Sequence, residues 1–184
     1  MKRINRLMAM AFACLSLTAA TAQKGTKMVG GAEMYPSKNI VENAVNSADH
    51  TTLVAAVKAA GLVETLQSAG PFTVFAPTNS AFNMLPKGTV ETLLKPENKG
   101  TLTAVLTYHV VAGKYDAKSI LDLIKKNNGK ATLTTVQGGT LTATTDGKTV
   151  MLKDEKGGMS HVTIADVFQS NGVIHVIDHV VLPK

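Results

Sequence analysis

Three consecutive polar residues, Thr78-Asn79-Ser80, interrupt the apolar segment between Gly70 and Pro86. A hydroxyl at a turn from strand to helix could act as a nucleophile or bind phosphate. However, a nucleophile elbow needs a Gly-x-Ser-x-Gly pattern, which the chain lacks, and a phosphate loop needs glycines, which are absent between Gly70 and Gly88. Thr and Asn are among the preferred helix N-caps. We therefore predict that Thr78 and Asn79 begin a helix and that this segment holds no catalytic residue.

Histidine is the other residue type here that could bind a metal. His175 and His179 have helical metal-site spacing, but their apolar neighbours predict a strand, on which residues four apart lie ~13 Å from each other. A site formed by His109, His161 and one of that pair is geometrically possible if their strands are adjacent. The alternative, which we favour, is that these are core or edge histidines. We therefore expect no metal and no cofactor.

Carboxylates suited to acid–base chemistry are scarce. Asp154-Glu155 lies in a lysine-rich turn and is expected to be solvated, whereas Asp178 interrupts a segment that is apolar on both faces. A buried carboxylate is costly unless it is hydrogen-bonded. Our hypothesis is that Asp178 accepts hydrogen bonds from backbone or hydroxyl groups, with Thr78 or Asn79 as candidate donors.

Helices are predicted in the first part of the chain and strands in the second. Apolar spacing predicts helices over residues 39–47, 49–61, 101–106 and 117–125, with Asp49 as an N-cap and Gly61 as a stop. Residues 72–75 are predicted to be a strand, and residues 108–111 to be part of another. After Gly129, threonine and valine alternate with turns, which predicts strands near 131–136, 140–145, 148–153, 160–167 and 173–182. This order favours an α+β fold.

The N-terminus has the pattern of a secretory signal peptide. Basic residues precede a short apolar stretch and a small-x-small site, so residues 1–22 are predicted to be removed after Ala22. A membrane anchor is disfavoured because spanning needs ~20 apolar residues, and lipidation at Cys14 is a minor alternative. Residues 23–38 are predicted to be a flexible arm and residues 39–184 a single domain, which places the protein in the periplasm or medium.

Charge and cysteine content exclude several functions. The predicted signal peptide contains the only cysteine, both arginines and three of the 19 basic residues, and all 13 acidic residues follow it. The remainder has a net charge of +3, with no disulfide and no thiol nucleophile. Nucleic-acid readers rely on arginine, so nucleic-acid binding is not expected. The sequence does not indicate an oligomeric state.

Three segments together resemble one known family. They read FTVFAPTNSAF, YHVVAGKY and NGVIHVIDHVVLP, and they begin at Phe72, Tyr108 and Asn171. Their order and spacing resemble those of one complete fasciclin-like domain covering about residues 37–184, in a bacterial secreted member.

The resemblance implies an α+β module in which a β-sheet wedge or sandwich packs beside several helices. It also implies a non-enzymatic adhesion role, with a cell-surface or matrix protein or a polysaccharide as partner. Tyr108-His109 matches a motif linked to adhesion in some animal members; the alternative is that these residues only contribute to the core. The chain departs from many animal members in having one domain copy and no Arg-Gly-Asp tripeptide.

Three functions remain open on this basis. Adhesion predicts an exposed Tyr108 or a flat surface patch. Binding of a small apolar or lipidic ligand predicts a deep apolar cavity between sheet and helices. A hydrolase, the least favoured, requires a nucleophile beside a base, for which the sequence has no signature.

Overall fold

The structure, a computed structural model, describes residues 25–184. The predicted signal peptide, its cleavage point after Ala22 and Cys14 lie outside this range. The strands are β1 (Lys27–Val29), β2 (Ala32–Met34), β3 (Phe72–Pro77), β4 (Val110–Ala112), β5 (Ala131–Thr134), β6 (Thr140–Thr145), β7 (Val150–Lys153), β8 (Met159–Gln169) and β9 (Gly172–Ile177). The helices are α1 (Ile40–Ala44), α2 (Thr51–Ala60), α3 (Val63–Gln67), α4 (Asn79–Asn83), α5 (Thr89–Leu93), α6 (Lys99–Tyr108) and α7 (Ala117–Lys126).

Seven of the strands form one mixed sheet in the order β4-β3-β9-β8-β7-β6-β5. The neighbouring strands β3 and β9 are parallel, and the other pairs are antiparallel. Both β3 and β9 are buried almost throughout, which explains their largely apolar sequences. Val136 N donates to Val110 O (2.7 Å) and Val111 pairs with Thr135, so the two edges of the sheet meet and it nearly closes on itself.

This nearly closed sheet separates two apolar cores. One core lies between the sheet and helices α1 to α6, and the other lies inside the curved sheet, where α7 covers it. Ile120 and Ile124 are the buried face of α7, as its apolar spacing predicts, and the Asp116 side chain caps its N-terminus by accepting from Ser119 N. The α+β prediction is confirmed.

The segment expected to be a flexible arm contains a β-hairpin formed by β1 and β2. Val29 and Met34 are buried in the first core, and Lys27 Nζ donates to Ala165 O (2.6 Å). At the turn, Gly30 has φ +57°, and a Cβ there would lie 2.3 Å from Ser47 Oγ. The flexible-arm prediction is therefore wrong for residues 27–34, because their few apolar side chains find long-range partners that their composition does not reveal.

Two other local predictions differ from the structure. Tyr108 ends α6 and His109 is its C-cap, so the predicted strand begins only at Val110. The side chain of Asp49 does not cap α2, which follows a single turn of 3-10 helix at Ala48–His50. Gly61 does end α2, in a left-handed conformation with φ +73°.

Candidate functional site

The polar side chains of the turn after β3 form hydrogen bonds at the N-termini of two helices, α4 and α2. Thr78 Oγ1 accepts from Ala81 N (3.3 Å), which caps α4. Asn79 instead reaches the neighbouring helix α2: its Oδ1 accepts from Thr52 N (3.0 Å) and its Nδ2 donates to Ala48 O (2.8 Å). The two residues therefore cap different helices, and the polar turn is occupied by structural hydrogen bonds.

Asp178 lies just beyond β9, half-buried, within a cluster of hydrogen bonds. It accepts from His161 N (2.7 Å) and Ser160 Oγ (3.2 Å), and it contacts Nδ1 of His161 (3.2 Å) and of His179 (2.8 Å). Partial burial pushes the pKa of Asp178 upward, but the bond from His161 N and the two imidazoles outweigh it and lower the pKa below its usual value. Residues 78–79, the donors that we proposed, do not bond to this carboxylate.

This cluster lacks the order of a catalytic triad. Ser160 is fully buried, and its hydroxyl donates to the Asp178 carboxylate and to His179 O rather than to a histidine nitrogen. A serine nucleophile needs a histidine to take its proton and an open side for substrate. Ser160 therefore has a structural role.

Tyr108 is completely buried inside the curved sheet. Its hydroxyl donates to Thr140 O (2.6 Å) and accepts from Glu155 N (3.2 Å), which joins α6 to β6 and to the turn after β7. Burial raises the pKa of this phenol. The expectation that adhesion would expose Tyr108 is not met.

His109 is equally buried, and both of its ring nitrogens are used. Nδ1 donates to Val105 O (2.8 Å), and Nε2 accepts from Val181 N (3.2 Å). These partners assign the neutral Nδ1–H tautomer. Burial lowers the pKa of His109 to about 4, because the charged ring would be desolvated. His109 thus ties α6 to the C-terminal segment and stays neutral at pH 7.

Both ring nitrogens of His175 are also hydrogen-bonded within the protein. Nε2 donates to Tyr115 O (2.8 Å) and Nδ1 accepts from Asp166 N (3.3 Å), so the ring holds the segment that leads into α7. Burial lowers its pKa as well. Across residues 25–184, no group of three His, Cys, Asp or Glu side chains is placed to hold a metal ion.

The lysine-rich turn after β7 differs from its expected solvated state. Asp154 is buried, and its carboxylate accepts from Lys156 N (3.0 Å), Gly158 N (2.6 Å) and Leu182 N (2.9 Å). Glu155 accepts from Thr140 N (3.0 Å). Charged residues of a loop were expected to face water; here the turn wraps around the Asp154 carboxylate instead.

The side chain of Asn171 joins three segments of the chain, a role that the local sequence does not predict. Its Oδ1 accepts from Ile40 N (3.1 Å), and its Nδ2 donates to Leu66 O and Ser68 O (2.8 Å each). The side chain therefore attaches α1 and α3 to the start of β9. Its only sequence signal is the Asn-Gly pair, which reads simply as a turn.

An apolar cleft of about 70 Å³ lies between helices α1 to α3 and the strands β3 and β9. The exposed residues Lys58 and Val136 belong to its lining, so it reaches the surface. Its walls are mostly aliphatic and include Ile40, Leu53, Val57, Leu66, Val74 and Ile174.

One polar pair, Ser47 and His50, lines this cleft. Both residues are buried, and Ser47 Oγ lies 2.8 Å from His50 Nδ1. Within residues 25–184, His50 Nε2 has no hydrogen-bond partner. Burial lowers the pKa of His50, and the nearby Ala76 carbonyl and Asp49 charge offset this only in part.

The pair is not arranged as a hydrolytic dyad. Gly30 packs so closely over Ser47 Oγ that a Cβ on the glycine would lie 2.3 Å away, which leaves little room for a substrate carbonyl. A hydrolytic dyad would also need a carboxylate to orient the ring through Nε2, and in the part of the chain that the structure describes Nε2 has no partner. The cleft is therefore suited to binding rather than to acyl transfer.

Comparisons with known proteins agree with this architecture. The family model described as Fasciclin domain matches residues 48–183. Protein sll1483 of Synechocystis sp. is 48% identical over 159 residues, covering 85% of this chain and 79% of that protein. Immunogenic protein MPB70 of Mycobacterium bovis is 35% identical over 170 residues, covering 90% and 78%.

A solved structure shares the fold. The FAS1 domain pair from the insect cell adhesion molecule Fasciclin I superposes with a TM-score of 0.70 at 16% sequence identity, covering 79% of this chain and 51% of that chain. The family match extends from just before α2 to the C-terminal segment, and thus includes the whole seven-stranded sheet. The chain belongs to the fasciclin domain family.

Proposed function

We propose that this protein is a secreted, non-enzymatic interaction module of adhesion type that binds a cell-surface or matrix component, either a protein or a polysaccharide. The observation that carries the proposal is the family match over residues 48–183, together with a structural neighbour taken from a cell adhesion molecule. The signal-peptide pattern of residues 1–22 supports export. No helix in residues 25–184 is long and apolar enough to cross a membrane.

The Tyr108-His109 motif supports adhesion through stability rather than through contact. Both side chains are buried and their polar atoms bond to the protein itself. A partner would have to unpack the second core to reach Tyr108, and both ring nitrogens of His109 are already hydrogen-bonded. The binding surface is therefore formed by other residues.

Large exposed apolar side chains are the better candidates for contact, because aromatic residues and methionine are enriched at interfaces. Met28, Tyr35 and Val45 come from the first hairpin, the residue after it and the end of α1. Their exposed fractions are 58%, 38% and 48%. A comparison set, Met84, Val136 and Met159, is similarly exposed but comes from other parts of the chain.

Two triple variants test these exposed residues. The chain without its predicted signal peptide is screened by pull-down from envelope and matrix fractions and on a glycan array. Replacing Met28, Tyr35 and Val45 by serine should abolish capture, and replacing Met84, Val136 and Met159 should not. If both triple variants capture the same partner as the parent, these residues do not form the binding surface. If nothing binds, or if ester or glycoside turnover is found and lost in a point variant, the adhesion proposal itself fails.

A second candidate function is binding of a small apolar ligand. The apolar cleft of about 70 Å³ favours it, since aliphatic walls with few polar groups are typical of ligand sites. The test is to add 1-chloropentane and follow amide chemical shifts. Shifts confined to residues that line the cleft support this function, and their absence contradicts it.

A further inference from the structure

His50 has a buried ring nitrogen that no hydrogen bond satisfies among residues 25–184, unlike His109 and Thr107, which also line the cleft. His109 uses both ring nitrogens, and Thr107 Oγ1 donates to Thr103 O (2.7 Å). His50 Nδ1 is engaged by Ser47 Oγ, and its Nε2 is buried. The Ala76 carbonyl lies near enough to the ring to raise its pKa, yet among residues 25–184 no group meets Nε2 in hydrogen-bond geometry. An unpaired buried polar atom is destabilising. Its retention beside a cavity indicates a site for a ligand atom.

The chemistry of the pair restricts that ligand atom. The Ser47 hydroxyl can either donate to His50 Nδ1 or accept from it, so Nε2 is a donor in one arrangement and an acceptor in the other. A hydroxyl matches both arrangements because it donates and accepts. A carboxylate could only accept from Nε2, and its own charge would be buried among aliphatic walls, which is costly.

The size of the cleft restricts the body of the ligand. Its volume of about 70 Å³ is roughly half of the ~150 Å³ that admits a benzene ring. A linear alkyl chain fits such a space better than a ring. The aliphatic walls and the opening beside Lys58 and Val136 suit a chain that enters from the surface.

We propose that the cleft binds the hydroxylated end of a linear aliphatic chain, with His50 Nε2 hydrogen-bonded to the ligand hydroxyl. This inference rests on the proposed ligand-binding role of the cleft. His50 acts as the polar anchor, Ser47 holds its ring, and the aliphatic walls select an unbranched hydrocarbon.

The experiment compares two probes of similar size, 1-pentanol and 1-chloropentane, of which only the alcohol can donate a hydrogen bond. Dissociation constants come from amide chemical-shift titrations. One net hydrogen bond should make the ratio of alcohol to chloroalkane affinity roughly two- to tenfold higher in the parent than in a variant without the imidazole. The variant His50→Phe should lose this preference and still bind 1-chloropentane. His161→Gln, which changes a half-exposed histidine outside the cleft, is the matched control and should keep it.

A second measurement avoids any dependence on how the variant folds. In the parent protein, the ¹⁵N shift of His50 Nε2 should move on addition of 1-pentanol and stay nearly constant with 1-chloropentane. An affinity ratio that is the same in the parent and in His50→Phe, with no imidazole response, would overturn the role of His50 but leave an apolar-ligand function standing. Binding of neither probe would overturn both.

Discussion

Replacing His109 by glutamine should reduce the loss of stability between pH 7 and pH 4. His109 is buried and neutral in the native state, with its pKa lowered to about 4 from 6.5. The unfolded chain therefore takes up a proton at a higher pH than the folded chain. Stability is complete above about pH 6.5 and falls as the pH approaches 4, because protonation favours the unfolded state.

The size of this loss follows from the two pKa values. Each pKa unit corresponds to about 1.4 kcal/mol. The shift from 6.5 to about 4 thus corresponds to about 3 kcal/mol between pH 7 and pH 4 for His109 alone. This is a large part of the ~5–15 kcal/mol that typically separates folded from unfolded protein. Burial also lowers the pKa of His50 and of His175, and these histidines add to the loss in the same direction.

Urea denaturation at pH 7, 6, 5 and 4 measures the effect. Glutamine can still donate toward Val105 O and accept from Val181 N, so His109→Gln should fold, with lower stability at pH 7. Its free energy of unfolding should then fall by about 3 kcal/mol less than that of the parent by pH 4. His161→Gln, at a half-exposed histidine, should change the loss far less. A His109→Gln variant that loses stability as steeply as the parent would refute the reasoning, as would native-state NMR showing that His109 titrates near 6.5.

Three further substitutions test the hydrogen bonds that join the elements. Asn171→Ala leaves one backbone N–H and two carbonyls without their side-chain partner. It should lower the free energy of unfolding, measured in urea, by about 3 kcal/mol. An unchanged urea midpoint would show that water replaces the side chain. Asn79→Ala removes the cap of α2 and should cost about 1 kcal/mol by the same assay, whereas Ser80→Ala, at an exposed neighbour, should cost little. Asp178→Ala should lower the melting temperature at pH 7, and by less in acid, because the lowered pKa of this carboxylate stabilises the fold only while it is ionised. Equal melting of parent and variant at pH 7 would contradict the role of Asp178.

Much of the secondary structure follows from local pattern. The apolar spacing of residues 117–125 predicts α7 almost to the residue, and Gly61 ends α2 as expected. The threonine- and valine-rich half yields five strands, although β9 ends at Ile177, earlier than predicted. These features depend on periodicity, on capping and on glycine, which act within a few residues of each other.

The candidate site depends on contacts that no local pattern contains. His50 and Ser47 are near in sequence, but only the packing of α1 to α3 over the sheet creates the cleft that they line. Asn79 was predicted to start a helix; which helix it caps is decided by a neighbour 27 residues away. The β-rich composition of residues 108–111 predicts a strand, yet α6 continues through Tyr108 and the side chains of Tyr108 and His109 are buried.

The sequence by itself determined the fold class, most of the order of helices and strands after residue 38, and the family resemblance, because all three depend on apolar periodicity and on short motifs. The tertiary structure alone decided which polar residues are buried and what they bond to. It buried the residues of the adhesion-type motif and, among residues 25–184, left His50 Nε2 without a hydrogen-bond partner beside a cavity. Burial depends on which distant segments pack together, and a polar side chain has the same local sequence whether it faces water, a carbonyl or a ligand.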